Sequence, residues 1–80
     1  GENATYIIKI MVQFDASMSD KVEADVIKTI AEYEGKNLSL AQMKKLASLI
    51  TERYGANTLK AYIPEQSFDE NILYINFISS

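Results

Sequence analysis

Hydrophobic and polar residues alternate along the first part of the chain, from residue 5 to residue 14. Because successive side chains of a strand point to opposite faces, this period of two predicts a β-strand with one buried face. The β-branched and aromatic content of the segment is also typical of strands. The side chains expected to share the buried face are Tyr6, Ile8, Ile10, Val12 and Phe14.

Two later segments follow a helical period. The first helix is predicted to begin near Asp20, with Glu23 placed as a capping-box partner, and to end at Gly35. The second helix begins with the capping-box sequence Ser39–Gln42 and ends before Gly55. The expected apolar stripes are Val22, Val26, Ile27, Ile30 and Tyr33 on the first helix, and Leu40, Met43, Leu46, Ala47, Ile50 and Tyr54 on the second.

Two further strands are predicted near the C-terminus, at residues 58–63 and 71–78, with turn-forming residues between them. The last strand is apolar at nearly every position, which indicates a central strand that is covered more completely than its neighbours. Pro64 is the only proline of the chain and ends the other strand. Proline cannot donate a ladder hydrogen bond, so this strand belongs at an edge of the sheet.

The predicted order is β-α-α-β-β, an α+β fold with one three-stranded mixed sheet and both helices packed on one face. The first strand is expected on the opposite side of the last strand from the proline-ended strand. With 80 residues, the range 1–80 is expected to be one domain. No signal peptide is present, so we expect the sequence to be a piece of a longer protein.

Composition narrows the possible functions. The chain contains neither cysteine nor histidine, so thiol nucleophiles, the usual general base and common transition-metal ligands are missing. We therefore expect no catalytic residues, no cofactor and no metal. The net charge of −3 disfavours nucleic acid as a partner. A small enzyme or ligand-binding α+β domain remains an alternative, although the carboxylates of Glu65, Asp69 and Glu70 match no metal or acid–base spacing.

Four motifs follow one another in residues 35–80, namely Gly35 and Lys36, Leu38–Leu40, Ile50–Tyr54, and the group Tyr62, Pro64 and Gln66. With these motifs the segment resembles a polypeptide-transport-associated (POTRA) domain, and more narrowly the first periplasmic POTRA domain of two-partner-secretion transporters. Residues 1–34 agree with that family in layout only. The loop after the second helix is shorter than is usual there, and Asp69–Asn71 replaces an Asp-Gly turn.

The resemblance implies a periplasmic domain that precedes an outer-membrane β-barrel of the same chain and binds a secreted exoprotein in a largely unfolded state. An adjacent POTRA domain is a further partner that it allows. An exposed strand edge can pair with an extended client segment by β-augmentation. The expected binding residues lie on the edge strand and the facing helix: Thr58, Leu59, Lys60, Ala61, Tyr62, Ile63, Pro64 and Gln66, with Lys44, Lys45, Ser48 and Glu52.

Other interpretations of these residues stay open. Pro64 and Gln66 either orient the edge for a client or only end the strand and hydrogen-bond within the turn. Tyr62 either stacks on a bound peptide or is half-buried core. The basic second helix and the acidic first helix either steer a charged client or are merely solvated. The whole domain could also be a scaffold in outer-membrane assembly or in a division complex, where it contacts folded partners.

Overall fold

The computed structural model describes residues 3–15, 17–55 and 57–79, so that residues 1, 2, 16, 56 and 80 of the predicted domain lie outside the described parts. These parts contain two helices and five strands, which confirms the α+β prediction. In chain order the elements are β1 Ala4–Ile7, β2 Lys9–Phe14, α1 Asp20–Ala31, β3 Lys36–Ser39, α2 Leu40–Tyr54, β4 Leu59–Tyr62 and β5 Ile72–Ser79.

The main sheet has three strands in the order β2-β5-β4. β2 runs parallel to β5, and β4 runs antiparallel to it. The prediction of a mixed sheet, with the last strand in the centre and the proline-ended strand at an edge, is therefore confirmed. The first and last predicted strands are neighbours, although the two helices separate them in the chain.

The first predicted strand is broken at Ile8, and the predicted buried face was wrong in its first half. Tyr6 and Ile8 are 47% and 59% exposed, whereas Ile7 and Ile10 belong to the core. Asn71 fixes the bend, because its carbonyl accepts a hydrogen bond from the N–H of Ile8 (2.9 Å) and its Nδ2 donates to the carbonyl of Tyr6 (2.7 Å). Because side chains alternate between the two faces of a strand, a shift of one residue at the bend places Ile7 in the core in place of Ile8.

β1, which precedes this bend, lies outside the main sheet and pairs antiparallel with β3 to form a separate two-stranded sheet. The sequence analysis did not predict β3, which has only four residues between the helices. Gly35 precedes it with a positive φ of 74° and donates its N–H to the carbonyl of Ile7 (2.7 Å). The small sheet therefore joins the N-terminal strand to the connection between α1 and α2.

α1 begins at Asp20 as predicted, but its cap differs from the prediction. The hydroxyl of Ser19 accepts the N–H of Val22 (3.2 Å), so Ser19 is the N-cap and Glu23 lies one residue too late for a capping box. The helix also ends at Ala31, four residues before Gly35. The positive φ of Gly35 thus serves the turn into β3 and does not end the helix directly.

α2 begins with the predicted capping box. The Ser39 hydroxyl accepts the N–H of Gln42 (3.2 Å), and the Gln42 carboxamide oxygen accepts the N–H of Ser39 (2.7 Å). These two bonds satisfy backbone N–H groups that have no partner within the helix. The helix ends at Tyr54, followed by Gly55 with a φ of 84°. Neither helix of the described parts is long and apolar enough to cross a bilayer.

One hydrophobic core lies between the sheets and the two helices. Most of both predicted helix stripes enter it, but Ile27 and Leu40 are 49% and 50% exposed, which corrects their assignment. The buried apolar side chains are Ile7, Ile10, Val26, Ile30, Leu38, Met43, Leu46, Ala47, Ile50, Leu59, Ala61, Leu73, Ile75 and Phe77. Alternate residues of β5 supply three of these, and the residues between them form an open face of the main sheet.

Polar contacts join α1 to α2 on the side away from β2. Arg53 donates a hydrogen bond from Nη1 to the Thr29 hydroxyl (2.7 Å), and the same nitrogen lies 3.8 Å from the Asp25 carboxylate. The Tyr54 hydroxyl also donates to Asp25. The pKa of Tyr54 is raised, mainly by partial burial and secondly by the Asp25 carboxylate. These exposed contacts link the two helices at their surface.

Candidate functional site

The predicted client-binding edge corresponds to β4, which pairs with β5 on one side only within the described sheet. Leu59 and Ala61 are buried beneath α2, with 1% and 9% exposure. Lys60 and Tyr62 point to the open face of the sheet. The structure thus divides the predicted edge residues between two faces of the sheet. Only the face with Leu59 and Ala61 contacts the predicted helix.

Backbone groups of β4 alternate between β5 and α2. The N–H of Ala61 donates to the Thr51 hydroxyl of α2 (2.9 Å), so the backbone of residues 59, 61 and 63 faces away from β5. The N–H of Leu59 is also satisfied, by the carbonyl of Gly55 (3.0 Å), which additionally accepts the N–H of Thr58 (2.9 Å). The outward N–H groups of residues 59 and 61 therefore already have partners, and α2 leaves both residues almost completely covered.

Gln66 completes the sheet at the point where Pro64 interrupts it. Continuing the register that pairs Tyr62 with Asn76 places Pro64 opposite Tyr74. Pro64 has no N–H to donate. The Gln66 carboxamide accepts the N–H of Tyr74 (2.8 Å) and donates to its carbonyl (2.9 Å), and it also donates to the carbonyl of Pro64 (3.0 Å). Gln66 thereby supplies the pair of bonds to Tyr74 that a proline cannot complete.

Tyr62 lies on the open face of the main sheet and is 42% exposed. Its hydroxyl accepts a hydrogen bond from the Asn76 side chain on the neighbouring strand (3.3 Å). The ring is therefore neither part of the core nor directed at α2. Stacking of this ring on a bound peptide remains a prediction, and the peptide would have to contact the open face.

The predicted helix residues Lys44, Lys45, Ser48 and Glu52 are all exposed. Lys44, Ser48 and Glu52 follow one another at successive turns, so they form one stripe along α2. Lys45 instead lines a shallow depression with Ala4, Ser39, Ala41 and Gln42. The structure therefore brings three of the four predicted residues together and places the fourth beside the two-stranded sheet.

Thr51 is the residue at this site that the sequence analysis missed. It is partly exposed on α2, its hydroxyl donates to the carbonyl of Ala47 (3.1 Å), and the same oxygen accepts the N–H of Ala61. A threonine within a helix commonly bonds the preceding turn in this way. Nothing in the local sequence shows that the same hydroxyl oxygen would also accept a hydrogen bond from a strand ten residues later.

The carboxylates in the connection between β4 and β5 do not form a metal site in the described parts of the chain. Glu65, Asp69 and Glu70 are exposed, and Asp69 accepts a hydrogen bond from the Ser67 hydroxyl (3.3 Å). Asn71, which ends this turn, has the left-handed φ of 59°. Asparagine tolerates that conformation better than most residues with a side chain, so it can replace the glycine of an Asp-Gly turn.

No protein-family model matches the chain, and no curated protein matches it. Among solved structures, a chain of CdiB from Escherichia coli is similar, with a TM-score of 0.75 and 18% sequence identity. The alignment covers 96% of the present chain but only 14% of the CdiB chain. At this identity the likeness shows the fold alone, and it supports a POTRA-like fold for the domain.

Proposed function

We propose that this domain is a POTRA module in the periplasmic part of an outer-membrane two-partner-secretion transporter, and that it binds an extended segment of the secreted exoprotein without catalysing a reaction. The observation that carries the proposal is the likeness in fold to a segment of CdiB. The group Tyr62, Pro64 and Gln66 supports it as a sequence resemblance. Its partners are the exoprotein, the β-barrel of the same chain and any adjacent POTRA domain.

Strand addition at β4 is the proposed binding mode. A client strand can donate N–H groups to the outward carbonyls of Leu59 and Ala61 only after the side chains that cover them move aside, since these residues are 1% and 9% exposed. To accept the N–H of Ala61, however, it must displace the Thr51 hydroxyl. Exchanging one hydrogen bond for another changes the free energy little. Capture at this edge is therefore weak and reversible, which suits a module that passes its client onward.

Charge favours one class of client at this edge. Lys44 shares a stripe of α2 with Glu52, and Lys60 adds a second basic residue on β4, whereas Lys45 and Arg53 lie on other sides of α2. The β4 edge therefore carries a small excess of positive charge. Such a surface speeds the association of an acidic segment through long-range attraction, and this effect weakens with added salt. We therefore propose a client segment with acidic residues beside its extended stretch.

The test uses two substitutions at Thr51. Thr51→Val removes the hydroxyl that occupies the N–H of Ala61, whereas Thr51→Ser keeps it. The ¹⁵N-labelled domain is titrated with the N-terminal segment of a candidate exoprotein while the backbone amide shifts are followed by NMR. We expect Thr51→Val to bind about 2- to 10-fold more tightly than the original domain, since one competing hydrogen bond has been removed.

Thr51→Ser is the matched control and is expected to bind like the unchanged domain. Circular dichroism and thermal unfolding establish that each variant is folded. Equal affinities for the two variants, or shifts that spare residues 58–63 and the Ser48–Glu52 side of α2, would contradict binding at β4. Absence of any shift with several exoprotein segments would contradict the client-binding function itself.

The open face of the main sheet favours a second candidate function, that of a scaffold contacting a folded partner. Four large side chains on this face are 41–46% exposed, namely Met11, Tyr62, Tyr74 and Ile78. Grouped apolar residues at a surface commonly mark protein contacts. Tyr74→Lys should then weaken binding to a folded partner and leave binding of extended peptides unchanged.

A further inference from the structure

β2 forms the second edge of the main sheet, opposite β4. The N–H of Asp15, just after β2, donates to the carbonyl of Phe77 in β5 (3.2 Å). Since backbone direction alternates along a strand, the N–H and carbonyl groups of residues 10, 12 and 14 point away from β5. No strand of the described parts pairs with them. Unpaired edges of this kind attract other strands, and natural sheets commonly protect them with charged side chains.

A carboxylate occupies the first of these three outward positions. Oε2 of Glu34 accepts the N–H of Ile10 at 2.7 Å, and the glutamate is half-buried there. Within the described parts of the chain, this carboxylate forms no ion pair with a lysine or an arginine. Hydrogen bonds to a charged acceptor are roughly twice as strong as those between neutral groups. The Ile10 N–H is therefore firmly held by a group that belongs to no strand.

The turn after α1 places Glu34 at this edge. The N–H of Glu34 donates to the carbonyl of Ala31 (3.2 Å), and the N–H of the following Gly35 donates to the carbonyl of Ile7 (2.7 Å). The backbone that carries the carboxylate is thus fixed both to the end of α1 and to the strand residue before the bend at Ile8. Its contact with Ile10 follows from the fold and is not a chance contact of a free surface side chain.

A strand added at β2 meets a cost at this position in either of two ways. It can displace the carboxylate, which then loses its hydrogen bond, or it can leave the carboxylate in place and forgo pairing with Ile10. In the second case only Val12 and Phe14 remain outward, and Phe14 is the last residue of β2. Pairing over so short a stretch is marginal, since strands of globular proteins usually have at least three residues and two-stranded pairs are weak by themselves.

The two edges of the main sheet are guarded by different groups. At β4 the N–H of Ala61 donates to the neutral hydroxyl of Thr51, which keeps its own hydrogen bond to the carbonyl of Ala47 when Ala61 is released. At β2 the acceptor is a half-buried carboxylate, for which the described structure offers no other hydrogen-bond donor. The hydrogen-bond cost of adding a strand is therefore greater at β2.

We propose that Glu34 is a specificity-determining residue, which closes the β2 edge so that an extended segment can add to the main sheet at β4 only. That the segment belongs to a secreted exoprotein rests on the proposed function, whereas the closing of β2 does not. A single accepting edge fixes the place and the direction in which a segment pairs with the sheet. It also prevents copies of the domain from joining edge to edge through β2.

The test compares three substitutions. Glu34→Ala removes the acceptor, and Glu34→Gln keeps an acceptor oxygen without the charge. Glu32→Ala is the matched control, because it makes the same change in net charge at a side chain that lines the depression between α1 and α2. Circular dichroism and thermal unfolding establish that each variant is folded.

Hydrogen exchange of the Ile10 amide measures the contact itself. In Glu34→Ala this N–H loses its acceptor, so it should exchange about 10- to 100-fold faster than in the original domain, as expected for the loss of one hydrogen bond to a charged group. Glu34→Gln should restore part of the protection, and Glu32→Ala should change nothing. The amide of Ile75, in the fully buried central strand, reports any general loss of stability.

Strand addition is then measured with a short capped peptide in which valine alternates with threonine, with one lysine and one glutamate to keep its net charge at zero. The peptide should spare the amides of Val12 and Phe14 in the ¹⁵N-labelled original domain. In Glu34→Ala it should shift them and bind at β2 about tenfold more tightly. Shifts of Val12 in Glu34→Ala that grow with protein concentration alone would equally support the proposal, with a second copy as the added strand.

Four outcomes would overturn the proposal. In the first, Glu34→Ala leaves the exchange of Ile10 unchanged relative to Ile75. In the second, Ile10 exchanges faster but neither the peptide nor a second copy pairs with β2, which would reduce Glu34 to a structural contact. In the third, the peptide shifts β2 of the original domain as strongly as that of Glu34→Ala. In the fourth, Glu32→Ala has the same effect as Glu34→Ala.

Neither measurement uses an exoprotein segment or a change at Thr51. Failure of the Glu34 test therefore leaves the Thr51→Val test intact. Conversely, an exoprotein segment that does not bind at β4 would contradict the proposed function without changing the result at Ile10.

Discussion

The Gln66 carboxamide pairs with the backbone of Tyr74 through both its oxygen and its nitrogen, at 2.8 and 2.9 Å. It takes the place of the backbone at Pro64, which lies opposite Tyr74 in the continued register. The spacing Pro-x-Gln is thus explained by geometry, since a glutamine two residues after the proline reaches back to the vacant ladder position. This arrangement ends β4 without leaving the Tyr74 backbone unpaired.

Gln66→Leu should lower the free energy of unfolding by about 1–3 kcal/mol, because it leaves the N–H and carbonyl of Tyr74 without their partners. Urea denaturation measures this change. Gln66→Glu tests the two bonds to Tyr74 separately. An ionised carboxylate can still accept the N–H of Tyr74, but it cannot donate to the Tyr74 carbonyl. That variant should lose stability at neutral pH and recover part of it when the carboxyl group is protonated. Gln13→Leu, at an exposed strand residue, is the control and should cost less than about 0.5 kcal/mol.

Asn71 contributes both a left-handed backbone and a side-chain hydrogen bond to Tyr6. Asn71→Gly keeps the backbone conformation and loses the bond, so it should cost about 1 kcal/mol. Asn71→Ala loses both and should cost about 2–3 kcal/mol, because the left-handed conformation adds roughly 1–2 kcal/mol for alanine. Urea denaturation of both variants gives the difference. Equal costs would show that the positive φ contributes nothing.

The bend at Ile8 predicts opposite outcomes for two neighbouring isoleucines. Ile7→Ala should lower the unfolding free energy by about 2–5 kcal/mol, since its side chain is fully buried. Ile8→Ala should cost less than about 1 kcal/mol, since 59% of its side chain is exposed. A continuous strand with Ile8 in the core would reverse this order. Thermal and urea unfolding of the pair distinguish the two arrangements.

Asp15 links the end of β5 to the loop before α1. The N–H of Ser79 (2.8 Å) and the N–H and hydroxyl of Ser17 donate to its carboxylate and lower its pKa below the ordinary 3.8. The ionised carboxylate therefore stabilises the fold above that ordinary value, and the contribution is lost as the pH falls through the lowered pKa.

Asp15→Asn should consequently be less stable than the original domain at pH 6, and the difference should shrink as the pH falls below about 4. Urea unfolding between pH 2 and pH 6 measures the gap. Glu65→Gln removes an exposed carboxylate that has no hydrogen bond in the described parts of the chain, and it is the control for net charge. A gap that stays constant with pH would show that the charge of Asp15 is not responsible.

Local patterns predicted the helices because their determinants are local. The Ser39–Gln42 capping box and the spacing of Met43, Leu46 and Ile50 define α2 within a few residues. The edge position of β4 also followed from sequence, through Pro64. In both cases the deciding residue is adjacent in the chain to the element whose start or position it determines.

The missed features depend on residues that are distant in the chain. The bend at Ile8 requires Asn71, which lies beyond both helices, and β3 forms because β1 is available to pair with it. Alternation in residues 5–14 cannot show a one-residue shift, since apolar residues occupy both faces there. Similarly, Thr51 satisfies the N–H of Ala61 only because α2 packs on β4. The candidate edge was therefore predicted by position, but its hydrogen-bonding state was not.

The parallel pairing of β2 with β5 also constrains the order in which the domain can fold. Each residue of β2 lies beside one that is 63 positions later, from Lys9 with Ile72 to Phe14 with Phe77. Contacts of such long separation form slowly, because the intervening loop must close first. A chain that emerges N-terminus first can therefore form both helices early, but it cannot complete its sheet until residues 72–79 have emerged.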